Sequence, residues 1–352
     1  MSSLKINETR LKAKIKAEAA HLGFVACGFS AARPTPAHRQ YLSWLEDGNH
    51  AGMAYLARQD AVRARGDACQ IFPDCKTVIS LAFPYRGPQP PYPSPGEGRI
   101  AAYALRRDYH HHVRERANAL ADKMREWSRG ALRAEIHIDT SPILEKAYAK
   151  QAGLGWIGRN SLLITPGFGS FVFLAEILVD FEFQPDPPFV KDPCVGCRRC
   201  VEACPTQAIL PGRLIDARRC LSYLTIENRA EIPAEFKPAL GKRIFGCDTC
   251  QSVCPFNRQN ATVADLDLPQ IDPNPKLRDC LNLTKTEFDQ KYGSTPIARA
   301  KYSGFRRNAA VAAGNTKNSG FLPDLRQALL NEDCPSVRDA LLWAVKTIEK
   351  QA

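Results

Sequence analysis

Two runs of cysteines, each closed by a proline, constrain what this chain can fold into more than any other feature. The first run has the spacing C-x2-C-x2-C-x3-C-P and the second has C-x2-C-x3-C-P. The first spacing is typical of bacterial ferredoxins with two 4Fe–4S clusters. A lone cysteine between the runs completes a set of eight, the number of thiolates that two such clusters require. The set is Cys194, Cys197, Cys200, Cys204, Cys220, Cys247, Cys250 and Cys254.

The ferredoxin crossover predicts which cysteines share a cluster, because the last cysteine of a run binds the cluster of the other run. The first cluster is then expected on Cys194, Cys197, Cys200 and Cys254, and the second on Cys204, Cys220, Cys247 and Cys250. Zinc is an alternative, since it also takes four thiolates from C-x2-C pairs. Zinc gives no reason for the third cysteine at the next step or for the repeated C-P ending. A disulfide framework is a weaker alternative in a long chain without a recognisable secretory signal.

The charge and the hydropathy pattern predict a cytoplasmic protein with a polyanionic partner. The 352 residues carry a formal net charge of +11, and nucleic acid is the commonest partner for such an excess. A generally basic proteome is the alternative explanation. No apolar stretch is long enough to cross a membrane, and the longest, Phe171 to Val179, is typical of a buried strand. Residues 1–22 have the spacing of an amphipathic helix.

Three regions of different character predict an α+β multidomain protein. Residues 1–185 alternate helical and strand-like stretches, which predicts an α/β or α+β domain, and a loop rich in proline and glycine runs from Gly87 to Gly98. The predicted strands are Thr77 to Phe83, Leu162 to Thr165 and Phe171 to Val179, and the predicted helices are His111 to Arg129 and Pro142 to Gln151. Residues 186–262 hold the eight cysteines, with a hairpin expected at Pro211-Gly212. Residues 263–352 are expected to be helical, including Asn308 to Ala313, and resemble a HEAT repeat with a helix stacked on it.

A glycine-rich segment stands out among the residues before the cysteines. Gly153, Gly155 and Gly158 surround Trp156, and such a cluster allows the backbone to approach a large ligand. The glycines match the G-x-G-x-x-G spacing of dinucleotide sites. The match is weak, however, because a predicted helix precedes them where that motif requires a strand.

Longer motifs resemble one enzyme family. The stretches D-T-S-P-I-L-E-K, A-G-L-G-W-I-G-R-N-S and C-L-S-Y-L-T-I-E, with the two cysteine runs, are similar to epoxyqueuosine reductases over nearly the whole chain. The resemblance implies an iron–sulfur, cobalamin-dependent oxidoreductase. Its reaction would reduce epoxyqueuosine to queuosine at the wobble position of transfer RNA, the final step of queuosine biosynthesis.

The resemblance also implies an architecture and partners. A cobalamin-binding α/β domain would occupy residues 1–185, a ferredoxin-like module with two 4Fe–4S clusters residues 186–262, and a HEAT-like domain residues 263–352. The expected partners are the tRNA anticodon stem-loop and an external low-potential electron donor such as a flavodoxin or a ferredoxin. The protein is expected to be a monomer.

Asp139 is the expected proton donor, because it stands where the family has its proposed donor. A carboxyl group near an apolar corrin face should have a raised pKa. The alternative is that Asp139 caps the predicted helix at Pro142 to Gln151, a role that Thr140 or Ser141 could also fill. The cofactor contacts expected from the resemblance are Arg58, Asp139, Gly153, Gly155, Trp156, Gly158 and Ser161.

The chain departs from two familiar patterns near Asp108-Tyr109-His110. Arg106 stands where the family usually has a glycine, which can alter the shape of that loop. Val113 stands where the cobalt-ligating motif D-x-H-x-x-G has its glycine, so a cobalt without a protein axial ligand is expected. The run from His110 to His112 is more typical of a solvated helix start or a phosphate contact than of a metal site.

Basic residues late in the chain are candidate tRNA contacts, since phosphate contacts would position the anticodon loop. Near the far end they are Arg299, Lys301, Arg306 and Arg307, and beside the second cysteine run they are Lys242 and Arg243. Solvated charge is the alternative. Two other functions compete with the tRNA enzyme. One is a corrinoid reductase of a small substrate, similar to reductive dehalogenases, and the other is a non-catalytic electron-transfer protein.

Overall fold

The computed structural model describes residues 7–85, 92–257 and 271–350. Its helices are α1 Glu8–His21, α2 Ala37–Glu46, α3 Gln59–Gly66, α4 Tyr109–Trp127, α5 Glu145–Gln151, α6 Arg199–Glu202, α7 Leu221–Ile226, α8 Lys237–Leu240, α9 Thr249–Ser252, α10 Leu277–Asn282, α11 Lys285–Tyr292, α12 Lys301–Asn315, α13 Leu322–Leu330 and α14 Pro335–Glu349. Its strands are β1 Ala26–Ala31, β2 Thr77–Pro84, β3 Arg99–Ile100, β4 Ala134–His137, β5 Trp156–Ile157, β6 Leu163–Ile164, β7 Val172–Val179, β8 Ile209–Leu210, β9 Leu214–Ile215 and β10 Arg243–Phe245. Residues 87–91 of the predicted loop and residues 258–262 of the predicted cluster module lie outside the described residues. Across the described ranges, no helix is long and apolar enough to cross a membrane.

A four-stranded antiparallel sheet, in the order β1-β2-β7-β4, forms the centre of the N-terminal region. β2 and β7 pair from Thr77 opposite Val179 to Pro84 opposite Val172. Their β-branched and aromatic residues favour strands, and the two predicted strands are confirmed. The α/β expectation for this region is wrong, because every pairing in the sheet is antiparallel and α/β folds are built on parallel strands. The region is α+β.

Alternation along the strands divides the sheet into two covered faces. Ile79 and Leu81 of β2 pack with Ile177 of β7 against the apolar sides of α1 and α4. The opposite face is covered by α5. On that face Ser80 and Glu176 lie directly opposite each other, and both are fully buried. A carboxyl group is thus buried in the middle of the central strands.

Two predicted helices have different starts in the structure. α5 begins at Glu145 rather than Pro142, because the residues before it form tight turns. The Thr140 N–H donates to the Ile138 carbonyl at 2.6 Å. α12 begins at Lys301, well before the predicted Asn308. Its first half carries buried polar side chains that hide the apolar periodicity.

The cluster module is made of short elements. The predicted hairpin is confirmed as the antiparallel pair β8–β9, and Gly212 in its turn has a φ of +73°. α6 and α9 each follow the first cysteines of a run, and they pack against each other. β10 pairs in parallel with β3, which ties the module to the N-terminal region.

The module and the C-terminal helices share one hydrophobic core. A continuous buried cluster runs from Ile100 through Leu224 and Phe245 to Leu341 in α14. α12 is at its centre and packs closely against α14. A Cβ atom on Gly314 of α12 would lie only 2.8 Å from the Ala344 Cα. The helical region therefore supports the cluster module directly.

Arg307 anchors this core and is not a surface residue. Its side chain is 1% exposed, and its guanidinium donates to three main-chain carbonyls, those of Leu224 at 2.7 Å, Asn228 at 2.9 Å and Ala230 at 2.6 Å. The prediction that Arg307 contacts tRNA is wrong, because the guanidinium has no exposed surface to offer a phosphate. Sequence alone does not separate a buried arginine from a solvated one.

Arg307→Met should reduce the free energy of unfolding by about 2–4 kcal/mol, because buried carbonyls lose their donors. Chemical denaturation measures this loss. Arg326→Met is the matched control, since Arg326 pairs with Glu349 on the surface and the two side chains are 61% and 45% exposed. That variant should change the free energy by less than about 1 kcal/mol. Equal effects of the two variants would contradict the anchoring role.

Candidate active site

A cavity of about 1910 Å³ lies where the three regions meet. It is larger than the roughly 300–1,000 Å³ of most small-molecule sites. All three regions contribute to its wall. The contributing residues include Asp139 and Trp156 of the N-terminal region, Cys220 of the cluster module and Arg299 of the C-terminal region. A ligand in this cavity would contact all three regions at once.

Asp139 reaches the cavity from a strained turn. Its φ of +51° lies in the left-handed region, which costs a non-glycine residue about 1–3 kcal/mol and is typical of functional sites. Its backbone N–H donates to Glu145 Oε1 at 2.7 Å, which fixes the turn. The helix-cap alternative is wrong, because α5 begins at Glu145 and Leu144 is its N-cap residue.

His110 bridges two carboxylates at the edge of the cavity. Its Nδ1 lies 2.6 Å from Asp108 Oδ1, and its Nε2 lies 3.2 Å from Asp139 Oδ2. Hydrogen bonds with Asp108 and then Asp139 raise the pKa of His110 to about 9. The imidazole therefore carries its proton at neutral pH and holds it beside Asp139.

The expected rise in the pKa of Asp139 is wrong. Burial acts to raise it, but hydrogen bonds from His110 and Tyr109 outweigh burial and lower the pKa of this carboxyl. Tyr109 is itself fixed between two rings, stacked at 4.3 Å on His110 and at 4.0 Å on Phe173. Asp139 is thus ionised at rest, and the proton next to it resides on His110.

A second pair of carboxyl groups lies behind Asp139. Burial, reinforced by the charge of Asp139, raises the pKa of Glu145 to about 7. Burial and the Glu145 carboxyl raise the pKa of Glu176 well above its usual range. Among the described residues, neither carboxyl oxygen of Glu176 makes a well-aligned hydrogen bond. Because two such groups do not ionise together in an apolar layer, the pair keeps at least one proton at neutral pH.

The cavity is lined by three of the expected cofactor contacts, Asp139, Trp156 and Ser161. Arg58 does not line the cavity, and it pairs with Asp60 at 2.6 Å with both side chains more than 60% exposed. A cofactor contact of Arg58 stays a prediction.

The three glycines, Gly153, Gly155 and Gly158, do not line the cavity either, so their cofactor contact stays a prediction. They are required by the protein's own packing. A Cβ atom on Gly153 would lie 2.6 Å from the Pro187 carbonyl oxygen, and one on Gly155 would lie 2.1 Å from that of Ile164.

The first predicted set of cluster cysteines lies together. Cys194, Cys197 and Cys200 of the first run line one small pocket with Cys254 of the second run. Burial and then the neighbouring thiols of this set raise the pKa of Cys200. The structure thus brings the crossover cysteine to the first run.

The second predicted set lies beside the large cavity. Burial raises the pKa of Cys220 to about 11, and the charges of Cys247 and Cys204 add to this rise. The charges of Cys247 and Cys220 act in the same direction on Cys250. Because Cys220 also lines the cavity, a cluster on this set would border the bound ligand.

Arg306, Lys242 and Arg243, three further predicted tRNA contacts, are engaged inside the protein. Arg306 pairs with Glu332, and its side chain is only 15% exposed. Lys242 donates to the carbonyls of Pro93 and Ser94, and Arg243 donates to Thr249 Oγ1 at 2.6 Å. These bonds hold loops and helix ends together, so these side chains are not free to reach a phosphate.

Comparisons with known proteins identify the family. Residues 65–140 match the family model described as Epoxyqueuosine reductase QueG, DUF1730, and residues 193–257 match a 4Fe-4S double cluster binding domain. The chain is 36% identical to an epoxyqueuosine reductase of Aliivibrio fischeri over 97% of this chain and 93% of that protein. It is also 36% identical to one of Pseudomonas aeruginosa, over 96% of this chain and 94% of that protein. The chain belongs to the epoxyqueuosine reductase family.

Solved structures of epoxyqueuosine reductases have the same fold. One contains a tRNA-Tyr epoxyqueuosine-modified stem loop and matches with a TM-score of 0.88 and 28% identity over 97% of this chain and 91% of that one. The enzyme of Streptococcus thermophilus matches with a TM-score of 0.87 and the same identity and coverage. The family resemblance and the iron–sulfur module expected from the sequence are confirmed.

Two residues of the site, His110 and Glu145, were not predicted from the sequence. His110 was expected at a solvated helix start, but the neighbouring Asp108 turns its ring toward Asp139. Glu145 is in the D-T-S-P-I-L-E-K motif, where the sequence indicated no obvious role for it. It lies six residues after Asp139, and its carboxylate accepts a hydrogen bond from the Asp139 N–H. For His110, the available signal in the sequence was an acidic residue, Asp108, two positions before the histidine.

Cys254→Ala should remove the first cluster, although Cys254 belongs to the second cysteine run. Anaerobically reconstituted protein should hold about eight irons per chain, and the variant about four. Iron and sulfide analysis with electron paramagnetic resonance (EPR) measures both. Cys280→Ala is the control, since Cys280 is buried in the helical core and should leave the iron content unchanged. Loss of the second cluster in Cys254→Ala would contradict the crossover.

Proposed function

We propose that this protein reduces epoxyqueuosine in tRNA to queuosine, using electrons that two 4Fe–4S clusters pass to a cobalamin in the large cavity. The observation that carries the proposal is the shared wall of that cavity. Asp139 with its proton-holding neighbour His110 stands on one side, and the cluster ligand Cys220 stands on another. Electrons and protons can therefore reach the same bound ligand.

The reaction needs both electrons and protons. Removing the epoxide oxygen as water leaves a carbon–carbon double bond and consumes two electrons and two protons. Each 4Fe–4S cluster transfers one electron at a time. The proton sources next to the cavity are the His110 imidazolium and the Glu145–Glu176 pair.

The residues around the cavity fit a corrin ring. The cavity is several times larger than a typical small-molecule site, and Tyr41, Trp44 and Leu144 contribute apolar surface to its wall. When bound, cobalamin supplies a cobalt centre that accepts electrons and reduces the epoxide. We propose that no histidine of this chain ligates the cobalt. In support, both ring nitrogens of His110, the histidine in this wall, face carboxylates.

In the proposed mechanism the His110 imidazolium passes its proton to the ionised Asp139 carboxyl, which relays it to the leaving oxygen. The separation of 3.2 Å between His110 Nε2 and Asp139 Oδ2 permits direct transfer. The bond from the Asp139 N–H to Glu145 keeps the carboxyl turned toward the cavity.

The direct test is anaerobic conversion of epoxyqueuosine-containing tRNA by the protein loaded with clusters and cobalamin. Asp139→Asn should keep both clusters, cobalamin and tRNA but lose turnover by ~100- to 10,000-fold, the usual contribution of a positioned acid. Asp60→Asn, on the surface away from the cavity, should be silent. Wild-type turnover in Asp139→Asn would reject Asp139 as the acid.

The pH dependence of turnover follows from the pair of His110 and Asp139. The raised pKa of His110 keeps its proton in place up to about pH 9 and releases it above that value. Turnover should therefore be lost as pH rises through about 9, by about tenfold per pH unit. A flat profile to pH 10.5 would contradict proton supply by His110.

The proposed tRNA partner would meet the basic rim of the cavity. Among the described residues lining it, the lysines and arginines are Arg65, Lys146, Lys150, Lys191, Arg213, Arg299 and Lys301, and the acidic residues are Asp108, Asp139, Glu145, Asp192 and Glu227. Lys191 and Lys301 are exposed and carry the proposed phosphate contacts. Lys301 was among the basic residues expected from sequence, and Lys191 was not.

Changing Lys191 and Lys301 together to Gln should weaken tRNA binding and reduce the slope of log Kd against log salt. Two lost contacts with a single-stranded loop should reduce that slope by about 1.4. Fluorescence anisotropy with an anticodon stem-loop measures it. The control changes Lys285 and Lys346, which are exposed and do not line the cavity. Equal slopes in the two double variants would place the tRNA elsewhere.

We also propose that electrons enter at the first cluster from an external low-potential donor such as a flavodoxin or a ferredoxin. Val195, between two ligands of that cluster, is 75% exposed, so a donor could approach closely. The proposal includes a cytoplasmic monomer with domains at residues 1–185, 186–262 and 263–352, the last of HEAT-like form. The packing of α13 against α14, and of α14 against α12, supports that form.

A further inference from the structure

Trp156 connects the cavity with the first cluster site. Its indole is 3% exposed and lines the cavity, and its Nε1–H donates to the Sγ of Cys194 at 3.3 Å. The ring is clamped by Phe189, stacked at 5.3 Å, and by the edge of Phe256 at 4.9 Å. This packing allows the indole N–H little freedom to turn away from the sulfur.

Asn160 is a second buried side chain beside the first cluster site. The residue is only 4% exposed, and it borders both the large cavity and the pocket of the first cysteine set. Among the described residues, neither its Nδ2 nor its Oδ1 makes a well-aligned hydrogen bond.

The backbone around Asn160 is shaped to hold it there. A Cβ atom on Gly158 would lie 2.6 Å from Asn160 Oδ1, so only glycine leaves room for the amide. Ser161 follows with a φ of +62°, a conformation that costs a non-glycine residue about 1–3 kcal/mol. A buried amide without partners on a strained segment indicates that a group bound nearby completes its hydrogen bonds.

We propose that Trp156 and Asn160 are positioning residues that donate hydrogen bonds to sulfur atoms of the first cluster, Trp156 through Cys194 and Asn160 from the edge of the same pocket. Hydrogen bonds to sulfur favour the more negative, reduced cluster and therefore raise its reduction potential. One short segment would then set the potential of the first cluster next to the cavity. The inference rests on the proposed two clusters, but not on the substrate.

The test is an anaerobic redox titration followed by EPR, without tRNA or cobalamin. Trp156→Phe keeps the ring and removes the N–H, so the first cluster should become harder to reduce. We expect at least a tenfold change in its equilibrium constant for reduction, about 59 mV for one electron. Asn160→Leu should shift the first cluster in the same direction and leave the second cluster unchanged. The Cys220→Ala background should retain the first cluster alone. Its EPR signal therefore identifies the first cluster in the spectra of the other variants.

Trp44→Phe is the matched control, because Trp44 also lines the cavity but donates to the Ile215 carbonyl at 2.7 Å. It should leave both potentials unchanged. Unchanged potentials in Trp156→Phe and Asn160→Leu with a full iron content would overturn the inference. If wild-type protein assembles no clusters, the proposed function fails instead.

A second measurement does not depend on the variants folding. Wild-type protein carrying 15N-labelled tryptophan should show a 15N hyperfine coupling on the reduced first cluster in pulsed EPR. The other three of the four tryptophans serve as internal controls, since Trp156 is the one that donates to a cluster cysteine. Absence of the coupling would overturn the role of Trp156.

Discussion

The convergence of two cysteine runs is the constraint on which the rest of the structure depends. Cys254 must return to the pocket of Cys194, Cys197 and Cys200, and Cys204 must reach the opposite set. α6 and α9 pack together to allow this exchange. Because the module is built from short elements, cluster binding would supply much of its folding free energy. The helical region adds the remainder through a shared core with Arg307 at its centre.

The cavity exists because this module is held against the N-terminal sheet. The β3–β10 pair joins the two regions, and the glycine segment fits closely under Pro187 and Ile164. The large cavity is the space left between them, so its wall combines Cys220 with His110 of α4 and the Asp139 turn. The proposed electron supply and proton supply would therefore be consequences of one packing arrangement.

The parts that sequence predicted well are those with strong local patterns. The cysteine spacing indicated the cluster module, and continuous apolar runs located β2 and β7. The glycine cluster was interpreted as a ligand cradle, but its glycines are required by neighbouring carbonyls, which no local pattern reveals. Arg307 and the ionised state of Asp139 depend on partners far along the chain or on the orientation of one ring. Such long-range hydrogen bonds lie outside what periodicity and motif spacing can predict.

The central claim is that the clusters feed electrons into the cavity, and the reduction of bound cobalamin tests it most directly. Stopped-flow absorption can follow the bound corrinoid after a low-potential reductant is mixed with the anaerobic protein. Wild-type protein should reduce its cobalamin rapidly, and the Cys220→Ala variant, which lacks the cluster bordering the cavity, should do so at least tenfold more slowly. Equal rates in the two proteins, with cobalamin bound in both, would contradict the account.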